Sequence, residues 1–320
     1  MASIHKNEKN IKKSQSKPSI STEEKGNYPV KDGIVIHDAD QRKKIHSMLM
    51  DLGNIMSTSD WTKLDEYLEP KAVLNRINEE IIGRISIQEF LSKKNKGILK
   101  YFFNRFYYDS EKMLVCSEWI TRRKKEKDQY YHEKMVVWFM KLSKENTIKT
   151  WYIWRDPFYS RFIEYYEPIS EKCWMRNRKP PKKHTASEMC DFVRKKFSYL
   201  ENADIGGWSG TLHKDVEIRP PWRVHVGKDD CVLGLKKFLN DFEDIGASIL
   251  EILYDYTQPN VAIYIQLFGA TKRDNKERCE DIDLSMIMLE DEQIKYWRCY
   301  FYEKDIPENH FSFIIFIKDS

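Results

Sequence analysis

Two stretches of this chain place an acid, a base and a phenol at spacings that would let them move a proton. Residues 130–142 alternate so that His132 shares a face with Lys134, Val136 and Trp138, and residues 147–158 put Thr150, Tyr152, Trp154 and Asp156 on one face. A His132–Asp156 pair among Tyr and Trp makes a reasonable acid/base site with Tyr152 as a proton partner, because desolvation raises a carboxylate toward the working pH of a general base. The same residues also read as structure: His132 on a solvent face near a hairpin end, and Asp156 capping a turn before Pro157.

A second set lies further on. Asp281, Asp283 and Ser285 alternate with Ile282, Leu284 and Met286, and Arg298 and Tyr300 fall in the next alternating run. Asp283 with Arg298 and Tyr300 is either a second pocket or an ion pair on a sheet face. His225, just before Gly227, sits at a helix mouth and is a candidate of the same kind. The run Arg122-Arg-Lys-Lys125 reads as a hairpin loop in water, with phosphate binding as the alternative. No metal site or cofactor is expected, because His225 and Cys231 lack the close companion pairs that a tetrahedral zinc site needs. The six cysteines form no CxxC pair and read as free thiols in a reducing compartment.

Whatever chemistry these residues do, elements must hold them. A chain of 320 residues suits two domains of roughly 130 residues each plus extensions. Apolar residues at 45, 48, 49, 52, 55 and 56 make one helical stripe, with Leu52 buried. A short helix follows with Asp60 as N-cap, then a strand over 72–77, a turn at Gly83, and a third helix behind a Ser86/Glu89 capping box. Residues 100–108, 113–122, 130–142 and 147–158 then read as antiparallel strands, an α+β plan. The plan recurs after a basic, Pro-containing stretch. A Thr185/Glu188 capping box opens a helix with Met189, Phe192, Val193, Phe197 and Leu200 inward. Trp208 opens a short segment, a strand over 216–218 precedes Gly227, and a helix leads into strands over 248–256, 261–271, 278–289 and 293–302.

The landmarks repeat at matching offsets. Trp61 and Gly83 are 22 residues apart and Trp208 and Gly227 are 19, while Gly83 to Trp151 is 68 and Gly227 to Trp297 is 70. The closing strands share Ile148-Lys-Thr-Trp151 and Ile294-Lys-Tyr-Trp297. A tandem duplication follows. The expected divisions are a disordered basic arm over 1–37, copy one over 38–169, a linker over 170–184, copy two over 185–306 and an apolar tail over 307–320.

Each copy resembles the SnoaL-like, ketosteroid isomerase-like superfamily, whose nuclear transport factor 2-like fold is a cone of three helices and a strongly curved sheet. The resemblance rests on the helical opening that ends in a Trp-containing segment, the Ile82-Gly83 and Val226-Gly227 turns, and the closing Ile-Lys-x-Trp strands. In copy two an acidic turn, Leu289-Glu-Asp-Glu-Gln293, precedes that strand. It implies an apolar cavity under the helices and, in ketosteroid isomerase, an Asp base beside Tyr and protonated Asp donors. Limonene epoxide hydrolases of the superfamily end the closing strand with a Trp-Arg-Asp-Tyr-Phe-Asp type motif. Here Trp151-Tyr-Ile-Trp-Arg-Asp156 keeps only the last Asp, and Trp297-Arg-Cys-Tyr-Phe-Tyr302 keeps Arg298, Tyr300 and Phe301 but neither Asp. Glu118-Trp-Ile-Thr121 stands near where an Arg-x-Asp partner belongs, so the hydrolase triad is absent from both copies.

Two functions remain in view. One is a small-molecule enzyme of isomerase, cyclase or dehydratase type, with Asp156 as base in copy one. The other is a non-catalytic scaffold that binds a hydrophobic ligand or a protein. The partner expected is an apolar small molecule. The 54 basic and 50 acidic residues nearly cancel, so no nucleic acid is expected. No stretch approaches a membrane span, and no signal peptide core is read in the arm, so the expected location is cytoplasmic. The two domains are expected to form an intramolecular pseudo-dimer, leaving the chain a monomer.

Overall fold

A computed structural model describes residues 38–76, 79–94, 98–123, 131–163, 184–220 and 224–300. The arm over 1–37, nearly all of the linker, the apolar tail, and Lys124 and Lys125 lie outside the described residues. Copy one runs α1 (Asp38–Thr58), a 3₁₀ helix (Trp61–Glu66), β1 (Leu68–Arg76), β2 (Glu79–Ile82), α2 (Arg84–Lys94), β3 (Ile98–Asp109), β4 (Leu114–Arg123), β5 (Tyr131–Leu142) and β6 (Ile148–Ile163). Copy two runs α3 (Ala186–Glu201), α4 (Ile205–Gly210), β7 (Leu212–Arg219), β8 (His225–Val226), α5 (Lys228–Asp241), β9 (Phe242–Tyr254), β10 (Val261–Lys272), β11 (Arg278–Glu290) and β12 (Gln293–Tyr300). The sheets have orders β2-β1-β6-β5-β4-β3 and β8-β7-β12-β11-β10-β9.

The two copies repeat irregular details as well as element order. In each, the first strand runs parallel to the closing strand and the others pair antiparallel. The parallel register jumps identically, from Leu68↔Ile148 to Val73↔Thr150 and from Leu212↔Ile294 to Glu217↔Tyr296. Gly83 and Gly227 take φ values of +92° and +84° and donate to Ala72 O and Val216 O at 2.8 and 2.7 Å. A side chain is strained in that conformation, which is why both turns into a helix use glycine.

Local caps follow the sequence unevenly. Thr185 and Glu188 form both bonds of a capping box. Ser86 and Glu89 instead lie within α2, which starts at Arg84 directly after the Gly83 turn. Asp60 makes no cap bond; its carboxylate accepts from the Thr62 hydroxyl at 2.9 Å and pairs with Lys63 at 2.7 Å. The short edge strands β2 and β8 have no periodicity to betray them.

Three cores result. Ile45, Leu49, Leu52 and Met56 of α1 pack on Trp119, Trp138 and Trp151, and Met189, Val193 and Leu200 of α3 pack on Tyr264, Ile287 and Trp297. Phe192, expected inside, is only half-buried at the rim. The third core joins the outer faces of the two sheets: Cys116, Val137, Phe139 and Trp154 meet Ile263, Leu284, Met286 and Tyr300. With both faces covered, every residue of β4 except Arg123 is buried.

The contact is reciprocal. The Tyr108 amide donates to Asp255 at 3.0 Å and the Tyr254 amide to Asp109 at 3.2 Å. Each Tyr-Asp pair ends a matching strand, so each copy caps the other. Arg42 of α1 adds a two-pronged contact to Asp255, both bonds 3.0 Å.

Within the first core Gly53 gives up its side-chain volume to Trp119, whose ring would overlap a Cβ at that position. Leu52→Ala should cost about 2–5 kcal/mol by leaving a cavity, and Gly53→Ala about 1–3 kcal/mol by overpacking. Urea unfolding measures both; a loss below roughly 0.5 kcal/mol for Leu52→Ala would mean that the helix presents another face.

Candidate functional site in the second domain

The helix-covered face of the first sheet is filled with aromatic rings. Trp119 and Trp138 lie 4.4 Å apart by ring centroids, Trp138 meets Trp151 edge-on at 5.2 Å, and Tyr101 and Phe103 close in at 5.5 and 5.2 Å. Such edge and tilted packing is that of an interior, with stabilisation beyond area burial.

The second domain differs at the matching positions. Strand register puts Tyr264 and Ser285 where the first domain has Ser117 and Trp138, and Gln266 and Asp283 where it has Trp119 and Val136. The spacing of 144 that relates Gly83 to Gly227, and Leu68 to Leu212, sets Lys196 in the place of Leu52 and Phe197 in that of Gly53. A polar cluster therefore replaces part of the aromatic filling.

Its members lie in a line along facing strands. Lys196 Nζ, with its residue fully buried, donates to Tyr264 Oη at 2.6 Å and lies 3.5 Å from the Trp297 ring centroid and 4.0 Å from that of Phe197. Tyr264 in turn stands directly across the strand pair from Ser285. Ser285 Oγ donates to Asp283 Oδ1 at 3.1 Å and accepts from Trp297 Nε1 at 3.1 Å. Gln266 Nε2 donates to Asp283 Oδ2 at 2.7 Å. Cys299 Sγ stands 3.4 Å from Ser285 Oγ, its thiol pushed up by burial.

Burial drives both ionisable ends toward neutrality. It pulls the Lys196 ammonium down to about 7, against the pull of the Cys299 and Asp283 charges. It pushes the Asp283 carboxyl up to about 7, although Gln266 and Ser285 donate to it. A low-dielectric interior disfavours each charged form, and neither group has the close counter-ion that would restore it. A free amine bonded to a phenol and a carboxylic acid bonded to a hydroxyl thus stand on facing strands of one interior, both titrating near pH 7.

Of the residues singled out from the sequence, Asp283 and its neighbour Ser285 enter this cluster. On β12 the odd positions Trp297 and Cys299 face the helices, so Arg298 and Tyr300 face the other sheet. There the Arg298 guanidinium lies 3.5 Å from Asp156 and donates to Met135 Sδ at 3.4 Å, and the Tyr300 hydroxyl donates to Glu118. Asp156 is thus part of a buried ion pair between sheets, not a base under the helices. Tyr152 shares that outer face and stacks on Trp154 at 5.0 Å. His132 lies opposite Phe162, several rungs from Asp156, which follows the Val136↔Arg155 pair. The structure does not bring the His132, Tyr152 and Asp156 set together as an acid/base site.

His225 is 3.2 Å from Asp230, which also accepts from the Val226 amide at 3.1 Å, and its ring packs on Gly234. That arrangement organises the entry to α5. Sequence reasoning missed Lys196, Tyr264 and Gln266. The available signal was a lysine inside an apolar stripe, three residues after Val193 and four before Leu200. Among the described residues no three His, Cys, Asp or Glu side chains gather to hold a metal ion, and no helix is long and apolar enough to cross a membrane.

No family model and no curated protein matches the chain. Solved structures similar to it include an LEH-like epoxide hydrolase of Mycobacterium tuberculosis, 16% identical with a TM-score of 0.31, over 35% of this chain and 80% of that one. A second M. tuberculosis protein, in complex with estradiol-17β-hemisuccinate, is 14% identical with a TM-score of 0.33, over 36% and 92%. A Catenulispora acidiphila protein with a ketosteroid isomerase-like fold, in complex with trimethylamine, is 8% identical with a TM-score of 0.32, over 35% and 86%. Such likeness concerns fold and brings no activity with it. The class that the elements define is a tandem pair of α+β cones, the fold expected from the resemblance to the ketosteroid isomerase-like superfamily.

The two shifted groups give opposite pH signatures. Lys196 holds its proton in the unfolded chain up to about 10.5 and loses it near 7 when folded, so the unfolded state binds more protons in between. Stability should therefore rise from about pH 7 toward 10 by up to about 1.4 kcal/mol per pH unit, relative to Lys196→Leu. For Asp283 the folded state holds the extra proton between 3.8 and about 7, so stability falls as pH rises through that window, relative to Asp283→Asn. Urea midpoints at pH 5, 7 and 9 test both signs; parallel profiles for wild type and Lys196→Leu would place the amine in water.

Proposed function

We propose that the second domain is a small-molecule site that transfers a proton on an apolar carbonyl substrate, leading to isomerisation, cyclisation or dehydration, and that the first domain is its structural partner. The observation that carries this reading is the line Lys196–Tyr264–Ser285–Asp283, set on the helix-covered face where the first domain has tryptophan. Asp283 as its carboxylate or Lys196 as its free amine serves as the base, and Tyr264, a donor whose ionisation is strongly suppressed, stabilises oxyanion charge. The filled first domain favours a scaffold role for that copy alone.

Proton exchange reads the activity without knowledge of the natural substrate. In D₂O, the full chain should accelerate deuterium uptake α to the carbonyl in at least one of cyclohexanone, 2-decalone and a steroid ketone, followed by NMR. Asp283→Asn should lower that rate roughly 100-fold, and Asp156→Asn should leave it unchanged. Uptake equal to buffer across the panel, or undiminished in Asp283→Asn, overturns the reading.

The same reading makes the two domains an internal pseudo-dimer, since each sheet's outer face is covered by the other. The chain should sediment as a monomer at micromolar concentration; a stable dimer would count against this assembly.

A further inference from the structure

We propose that Lys196 is a nucleophilic amine that forms an imine with an apolar aldehyde or ketone in the second domain. The inference rests on the site proposed above and adds a covalent step to it. Three observations carry it. First, packing does not call for a lysine here, because Leu52 fills the matching place in the first domain and no amine has to be desolvated there. Second, among the described residues the oxygen within hydrogen-bond reach of Nζ is the phenol of Tyr264, an acid that can be turned to either side of a reaction, and no carboxylate pairs with the amine to hold it charged. Third, Phe197, Tyr264 and Trp297 surround Nζ with rings at 4.0, 5.1 and 3.5 Å, an apolar collar suited to the carbon skeleton of a carbonyl compound as much as to an ammonium. Burial adds to these by keeping a large share of the amine unprotonated near neutral pH.

The step balances with the groups present. The Nζ lone pair adds to the carbonyl carbon as the C=O π bond opens, and a proton passes from nitrogen to oxygen to give a carbinolamine. Tyr264 donates a proton to that hydroxyl, the C–O bond breaks, and one water leaves as the C=N bond forms. Ser285 relays a proton from Asp283 to restore the phenol. Hydrolysis reverses the sequence, and no oxidant or reductant is consumed. The iminium acidifies the α carbon, so the covalent step feeds the proton transfer assigned to this domain. Phe238, Leu239, Ala247, Ile249 and Ile252 border the same core and are only partly buried, which makes that side the entry for an apolar carbonyl compound.

Two readouts test the imine apart from the site. The full chain is incubated at pH 7.5 with 2-decalone or benzaldehyde and sodium cyanoborohydride, digested and mapped by mass spectrometry. In parallel, exchange of the ketone oxygen with ¹⁸O-water is followed. The reduced adduct should concentrate on Lys196, on the order of 100-fold above the average exposed lysine, whose amine is almost wholly protonated at that pH. It should vanish in Lys196→Leu, a variant built to resemble the first domain and so to fold, and form more slowly in Tyr264→Phe. Oxygen exchange should follow the adduct. Label spread over exposed lysines with none on Lys196 overturns the imine. If deuterium uptake persists while adduct and oxygen exchange are absent, the proton-transfer site stands and the covalent step falls. If all three are absent, both fall.

Discussion

The packing of the two sheets back to back is the constraint on which the rest depends. It buries the outer faces around β4, β5, β10, β11 and β12, whose central residues have no wet side, and alternation within β6 and β12 assigns residues to two different interiors. Trp151 and Trp297 go under the helices, while Trp154, Asp156, Arg298 and Tyr300 go between the sheets. Reciprocal capping by Asp109 and Asp255 fixes the relative register of the sheets, because each carboxylate reaches a backbone amide of the other copy. A buried carboxylate without such donors would cost far more than it contributes.

With the outer faces committed, the two helix-covered faces were free to diverge, and their differences compensate in volume. In the first domain Gly53 makes room for Trp119; at the matching places the second has Phe197 and Gln266. Ring volume moves from strand to helix, and the vacated strand position carries an amide that serves Asp283. Close-packed interiors tolerate such exchanges when total volume is kept. Leu52 and Lys196 are likewise similar in volume, but lysine reaches two atoms further and ends in an amine.

Element order and the duplication were legible because periodicity and spacing report them directly: the Trp151/Trp297 strands, the two glycine turns and the Thr185 capping box stand where the sequence puts them. The site was less legible. Alternation along β6 separates Tyr152 and Asp156 from Trp151, yet it cannot say which set faces the helices, since tryptophans occur on both sides. That choice is made by the partner sheet, which is far away in sequence. Lys196 escaped notice because a stripe of apolar residues hides one lysine, whose long stem packs like an aliphatic side chain.

Comparing two buried clusters of acids and bases among the described residues shows why one keeps a fixed charge and the other does not. Between the sheets, Glu118 is fully buried and yet its carboxyl lies below the ordinary value, because the Arg105 guanidinium beside it, with Arg298 close by and the Tyr300 hydroxyl donating, outweighs desolvation. Arginine cannot give up its proton in a protein, so that cluster has a fixed charge and behaves as a weld. In the second domain the cation is lysine, its partner is a phenol, and the Asp283 carboxyl bonds to Ser285 and Gln266 instead. Desolvation then wins at both ends, and Lys196 and Asp283 arrive near the same value, about 7, from opposite directions. Burial alone does not decide between these outcomes, since Glu118 and Lys196 are both wholly enclosed. What decides is whether the cation can be neutralised, and of these two clusters the one under α3 keeps that freedom.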